Sequence, residues 1–178
     1  MEFGERYKNL ILIGAVERGE EVSIPSGNFI LKDNDTVSVI ASPINSALFF
    51  KKIGIHTHQV KSTMIVGGGT LSYYLAKILL SMKIRVLIVE SNAARSEQLS
   101  ELLPDATIIH GDGTDKNLLL EEGLTRVESF VTLTNLDEEN ILLSLFAKKN
   151  STAKLVSKVN RIAFDDIIEG LDIGSVIY

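Results

Sequence analysis

The sequence predicts an α/β protein: a doubly wound parallel sheet over residues 62–178, preceded by a small β-rich α+β lobe over residues 1–60. Three observations predict it. The second block alternates continuous apolar runs with segments whose apolar residues recur every three or four positions, the pattern of βαβ units with both sheet faces covered. The first block instead strings short β-branched runs between turns rich in Gly, Pro, Asn and Asp. At the first strand-to-helix corner of the second block stands Gly67-Gly68-Gly69, a turn that lets a backbone come close to a ligand.

In the first block, residues 10–16 form an apolar run, Glu17-Arg18-Gly19-Glu20 a turn, and Val22-Ser23-Ile24 a second run, which is a hairpin signal. Pro25-Ser26-Gly27-Asn28 turns again, Phe29-Ile30-Leu31 follows, Lys32-Asp33-Asn34-Asp35 makes another turn, and residues 36–41 are rich in β-branched side chains. A small antiparallel sheet of three or four strands results. A short helix is expected over 44–52 after Pro43, and 54–61 is a linker carrying His56 and His58. A block of this size is marginal alone and is expected to pack on a partner.

Strands of the second block are expected over 63–66, 84–89, 106–110, 129–134, 154–159 and 175–178. Between them, Leu71, Leu75, Ile78, Leu79 and Met82 recur at helical steps, as do Ile141, Leu142, Leu145 and Phe146 after Asp137-Glu138-Glu139, whose acids suit a helix N-terminus. Gly123 and Gly170 stand where helices would stop. There is no internal repeat and no low-complexity tract.

Composition narrows the function classes. At about 150 residues per domain, 178 residues are slightly more than one domain, and 45% apolar with 23% charged residues is the balance of a folded chain. Eighteen basic against 23 acidic residues leave a net charge of −5, which argues against nucleic acid as a partner and provides no polybasic membrane patch. The absence of Cys excludes disulfides, Cys-ligated zinc and thiol catalysis. The charged start MEFGERYKNL is unlike a signal peptide, and no run approaches the roughly 18 apolar residues of a membrane span. A cytoplasmic protein without direct membrane insertion is expected.

Gly67-Gly68-Gly69-Thr70-Leu71-Ser72 follows a strand and opens a helix, the context required of the G-x-G-x-x-(small) turn of a Rossmann-like fold. Gly67 permits the tight turn, Gly69 has no Cβ to block a pyrophosphate, and the helix N-terminus aims N–H groups at it. Ser72 replaces the usual third glycine and is small enough for close helix–strand packing. Glu90 closes the next strand 23 residues after Gly67, the spacing of an acid that accepts hydrogen bonds from adenosine ribose and repels a 2′-phosphate. The competing account of Glu90 is a charge simply exposed at a strand end. His110-Gly111-Asp112-Gly113-Thr114-Asp115 closes the third strand; Asp112 could accept the adenine amino group between two glycines, or the stretch is an ordinary tight turn.

The stretches MIVGGGTLSYYLAKILL, Glu90, HGDGTD, LTNLDEENILLSLFAKK and LVSKVNR closely resemble the RCK/KTN regulatory domains of potassium channels and transporters. Residues 3–52, with GAVERGEEVSIPSGNFILKDNDTVSVIA, resemble the small C-terminal lobe that follows a first such domain in tandem proteins. That order implies an internal piece of a longer tandem: a truncated C-lobe at 1–60 and a Rossmann-like N-lobe at 62–178. By matching position, the resemblance places nucleotide phosphates on Gly67, Gly69, Thr70, Leu71 and Ser72, ribose on Glu90, and adenine on Asp112 with Gly111, Gly113 and Thr114. Thr134 and Asn135 would flank the ligand, and Arg95 would reach a phosphate. It implies NAD(H), alternatively ATP or ADP, bound as an effector and not consumed. It also implies a potassium-transporter membrane subunit of the Trk type as partner, self-association of lobes as a homodimer or tetramer, and a place at the inner face of the cell membrane through the transporter.

Two other classes stay open. A dehydrogenase would need a substrate pocket and an acid–base residue at the nicotinamide end, and His110 is expected near the adenine end while His56 and His58 sit in the linker. An interaction module with no working ligand site is the other. His56-x-His58 could place two imidazoles on one strand face, but a solvated linker accounts for them with less. Tyr73-Tyr74 and Phe49-Phe50 fit helix packing or a subunit contact.

Overall fold

The computed structural model describes residues 7–55, 58–161 and 170–177. The chain divides into two compact units, Met1–Gln59 and Val60–Tyr178.

In the first unit, strands β1 (Leu12–Arg18), β2 (Glu21–Ser23) and β3 (Thr36–Ile40) form an antiparallel sheet in the order β2-β1-β3, followed by helix α1 (Pro43–Lys52). The first strand starts two residues late and runs through Arg18, because the amides of Leu10 and Ile11 bond Tyr7 O and residues 16–18 pair with 21–23 across a two-residue turn. Phe29-Ile30-Leu31 does not join the sheet, so the described residues of the unit form three strands. Arg18 holds that segment instead: its Nη2 donates to Ile30 O at 3.1 Å and its guanidinium lies 5.5 Å from the centre of the Phe29 ring. Asp35 anchors Arg18 in turn, accepting from Nε at 2.7 Å and Nη2 at 2.8 Å, and also from the Lys32 amide at 2.8 Å. Phe49 is buried under the edge of Tyr7, with Phe50 tilted against it.

The second unit contains β4 (Ser62–Val66), α2 (Thr70–Ser81), β5 (Arg85–Glu90), α3 (Ala93–Leu102), β6 (Thr107–His110), α4 (Lys116–Glu121), β7 (Ser129–Thr132), α5 (Asp137–Asn150), β8 (Lys154–Lys158) and β9 (Ser175–Ile177). All strands are parallel, in the order β6-β5-β4-β7-β8-β9. Successive strand residues point to opposite faces, and β4 shows the result: Met64 and Val66 enter one core with Leu119, Phe130 and Leu143, while Ile65 enters the other with Ala76, Ile88 and Leu99. Helices α4 and α5 cover the first core and α2 and α3 the second, which is the doubly wound arrangement.

The helical stripes divide on folding. Leu75 and Leu79 pack into the second core beside Tyr73 and Leu80, whereas Leu71, Ile78 and Met82 are exposed, because α2 is apolar nearly all round and its packed face centres on Ala76. Leu142 is likewise exposed, while Phe146 packs against the first core and Ile141 and Leu145 against Val159 and Ile173. Strand β7 stops at Thr132 instead of 134 because the Thr134 amide leaves the ladder to bond Asn140 Oδ1 at 3.0 Å. Gly123, at φ +96°, follows α4 as its stop; Gly170 ends a segment that lies outside the described residues.

The Asp35 carboxyl sits at about 2, held down first by the Arg18 hydrogen bond and then by the Lys32 amide. A lowered native value contributes stability above the unfolded value of about 3.9, and that contribution is lost as pH falls through the native value. Asp35→Asn is therefore expected to lower the thermal midpoint of the chain at neutral pH. Circular dichroism melts should show the gap from the parent narrowing below about pH 4 and closing near pH 2.

Candidate functional site

The sheet order reverses beside β4, with β5 on one side and β7 on the other, and ligands of open α/β sheets bind in the crevice that such a reversal opens at the carboxyl ends of the strands. Here that edge holds a cavity of about 640 Å³, floored by Val66, Val89 and Leu133 at the strand tips.

The glycine turn forms one wall. Gly67 has φ +97°, and a Cβ there would lie 2.8 Å from Leu133 O. A Cβ at Gly68 would lie 2.6 Å from Leu99 Cδ1 and 2.8 Å from Glu90 Oε2. At Gly69 a Cβ would meet nothing within 4 Å, so this residue faces open space in an ordinary extended conformation. Ser72 is fully buried beneath the turn and its hydroxyl donates to Gly67 O. The hydroxyl thus ties helix to turn where a glycine would only fit.

Helix α2 starts without a side-chain cap and without an acid in its first turn. Its first helical bond runs from Tyr73 N to Gly69 O at 3.1 Å, so the amides of Thr70, Leu71 and Ser72 precede the helical ladder. Helices α1, α3 and α4 are instead capped by Ser42, Asn92 and Asp115. An N-terminus left in this state carries about half a positive charge and open donors.

Glu90 stands at the tip of β5 and spans the turn: Oε2 accepts the Gly68 amide at 2.6 Å and Oε1 the Asn92 amide at 2.7 Å. A carboxylate has roughly four lone-pair positions, so acceptor capacity remains toward the cavity, which Glu90 lines. Arg95, from the first turn of α3, crosses the opposite way. Its Nε donates to Gly68 O at 2.7 Å, Nη2 to Gly69 O at 3.4 Å and Nη1 to Gln98 Oε1 at 2.6 Å, leaving two of about five N–H groups for an anion.

The loop after β6 folds back over β4, and Gly113 is its contact point: a Cβ there would lie 2.3 Å from Val66 Cγ1. This brings Asp112 to the cavity. Its Oδ1 accepts from the Thr114 amide and hydroxyl, both at 2.8 Å, which lowers its pKa. Glu139 also lines the cavity, from the first turn of α5, and its carboxyl is pushed up by burial and by the charge of Asp112.

Of the residues singled out in the sequence, Gly67, Gly69, Thr70, Glu90, Arg95, Asp112, Gly113, Thr134 and Asn135 meet around this cavity. Leu71, Ser72, Gly111 and Thr114 stand outside its lining. Gly111 is packed on Leu118 and Thr114 serves Asp112. Sequence reasoning missed Gly68, Ser91, Asn92, Leu136 and Glu139 as lining residues. Gly68 was legible in the glycine triplet, and Glu139 in the acids that open α5. His110 Nε2 lies 3.1 Å from Ser91 O. His56 lies outside the described residues, among which no group of three metal-ligating side chains occurs. No described helix is long and apolar enough to cross a membrane.

A family model described as the TrkA-N domain matches residues 63–178. The chain is 33% identical over 165 residues to the Trk system potassium uptake protein TrkA of Halomonas elongata, which covers 93% of this chain and 36% of that protein. It is 30% identical over 165 residues to the Trk system potassium uptake protein TrkA homolog 2 of Methanosarcina mazei, covering 91% and 37% respectively. The chain thus spans little more than a third of the length of these relatives. Among solved structures, the GsuK channel bound to NAD matches with a TM-score of 0.66 at 19% identity, over 98% of this chain and 31% of that one. The TrkA-N domain of the inner membrane protein ybaL from Escherichia coli matches with a TM-score of 0.60 at 14% identity, over 68% and 89%. Likeness at such identity shows the shared fold.

The open space at Gly69 separates folding from access. Gly69→Val is expected to stay within about 1 kcal/mol of the parent in a denaturant titration, a surface-like effect, because its backbone suits any residue. Gly113→Val, which drives a side chain into Val66, is expected to cost about 2 kcal/mol or more by overpacking.

Proposed function

Because the chain belongs to the TrkA-N domain family, we propose that its second unit binds the adenosine diphosphate part of NAD(H) as an effector, and that occupancy of this site controls a potassium-transporter membrane subunit of the Trk type. The observation that carries this is the uncapped, acid-free N-terminus of α2 opening on a cavity whose side wall holds Glu90. The residues fit the group. The amides of Thr70 and Leu71 and the open face of Gly69 take the diphosphate, with the spare N–H groups of Arg95 beside it. Ser72 braces the turn from below. Glu90 offers its remaining lone pairs to ribose hydroxyls and repels a 2′-phosphate. Asp112, positioned by Gly111, Gly113 and Thr114, and the loop of Thr134 and Asn135 close over the ligand.

ATP or ADP would present the same diphosphate and ribose, and both belong among the ligands to be compared. Names of the relatives support the potassium-uptake role, and the NAD-bound channel of the same fold supports the choice of NAD(H). In this proposal the first unit is the small lobe of a preceding RCK-type domain, the lobes associate with one another as a homodimer or tetramer, and the assembly sits in the cytoplasm against the membrane subunit. A ligand moves such an assembly only by binding two of its arrangements with different affinity. In this reading the ligand is an effector and is not consumed, which the potassium-uptake names of the relatives support.

The test is a titration of the chain with NAD, NADH, ADP and ATP followed by thermal stability. A ligand at about one hundred times its Kd should add about 2.7 kcal/mol. Glu90→Gln, which removes a charge-assisted ribose bond, is expected to weaken binding by about 1.5–3 kcal/mol. Absence of a shift with all four ligands, or equal affinity in Glu90→Gln, overturns the proposal.

A further inference from the structure

The cavity is lined by three carboxylates, Glu90, Asp112 and Glu139, against the single guanidinium of Arg95. Glu90 and Arg95 both bond the glycine turn. Asp112 and Glu139 both line the cavity as well, and the charge of Asp112 acts on Glu139. Sheet order gives this a direction: with β4 in the middle, Glu90 stands on the β5 side, and Leu133 to Leu136 and Glu139 follow β7 on the other. A ligand whose ribose meets Glu90 and whose diphosphate meets α2 carries the rest of its length toward Glu139.

Helix α5 also begins there, and a helix N-terminus ordinarily welcomes an anion. Its first turn is filled by acids of its own. Asp137 accepts from Asn160 N, Asn160 Nδ2 and Arg161 N at 2.9, 2.7 and 3.0 Å, and Glu138 pairs with Arg161 Nη2 at 3.0 Å. These two are satisfied away from the cavity. Glu139 is half-buried at the cavity wall, where burial first and then the charge of Asp112 push its carboxyl up.

We infer that Glu139 is a specificity-determining residue, whose carboxylate rejects a ligand bringing a third phosphate to the β7 side of the cavity and favours one bringing a positive charge there, as the oxidised nicotinamide ring does. This rests on the placement of the diphosphate and ribose given above. The Glu139 carboxylate raises the cost of any further negative charge brought beside it, whereas a pyridinium ring is attracted to it. The effect depends on charge, so a reduced ring of the same shape gains nothing from it.

The experiment is calorimetric titration of the full chain and of Glu139→Gln with NAD, NADH, ADP and ATP, at neutral pH, low salt and with chelator present. In the parent, NAD binds more tightly than NADH, and ATP more weakly than ADP. In Glu139→Gln both ratios move toward one by about tenfold, the scale of one unit charge at such range. Unchanged ratios in Glu139→Gln overturn the inference. If that variant does not fold, salt decides in the parent: the ATP penalty relative to ADP shrinks as ionic strength rises, and a penalty indifferent to salt overturns it. Failure of all four ligands to bind the parent would instead strike the diphosphate placement itself, which Glu90→Gln reports on separately.

Discussion

The chain crosses from β4 to α2 through a passage with no room for a side chain on two of its three residues. At Gly67 a Cβ would strike the carbonyl of Leu133, and at Gly68 it would strike Leu99 and the carboxylate of Glu90. This close approach of backbone to backbone brings the tips of β4, β5 and β7 together at one edge. It also turns the first amides of α2 outward over the cavity between them. A larger residue at Gly67 would push β7 away, because a main-chain carbonyl cannot rotate aside as a side chain does.

Polar groups then hold the walls at fixed positions. Glu90 ties the turn to β5 through the Gly68 amide, Arg95 returns from α3 to the carbonyls on the other side, and Ser72 closes the turn from beneath. On the β7 side the buried Asn140 plays the same part. Its Oδ1 accepts the Thr134 amide, and its Nδ2 donates to Thr134 O and Lys158 O at 3.1 and 2.9 Å. A buried amide with every partner in place rigidifies its surroundings, because losing any one bond leaves an unsatisfied group at a cost of about 1–3 kcal/mol. One side of the cavity therefore offers open donors beside Glu90, while the β7 side offers the carboxylate of Glu139, and that difference is set by what α2 and α5 place in their first turns.

The two units take their order from different physics. The second is built from strands buried on both faces, and its registers follow from two apolar cores of opposite facing. The first has three short strands among its described residues, and a salt-bridged arginine connects the segment before β3 to the sheet. Phe29-Ile30-Leu31 has the composition of a strand, yet cation and ring contacts with Arg18 recruit it in place of backbone pairing. Propensity cannot register that choice, since both partners of the contact lie more than ten residues apart.

Local chemistry was enough to specify the alternation of strands and helices, the glycine corner and the acid closing the second strand, because each depends on residues within one turn or one strand of each other. The sequence by itself therefore determined the architecture of the larger unit and the donor end of its cavity. Which apolar residues of α2 face inward, where β7 leaves the ladder, and that Glu139 comes to line the same cavity as Asp112 were decided only when the sheet assembled. These depend on contacts between segments far apart in the chain, such as Gly113 seated on Val66 and Thr134 drawn to Asn140. No periodicity within either segment encodes the other's position.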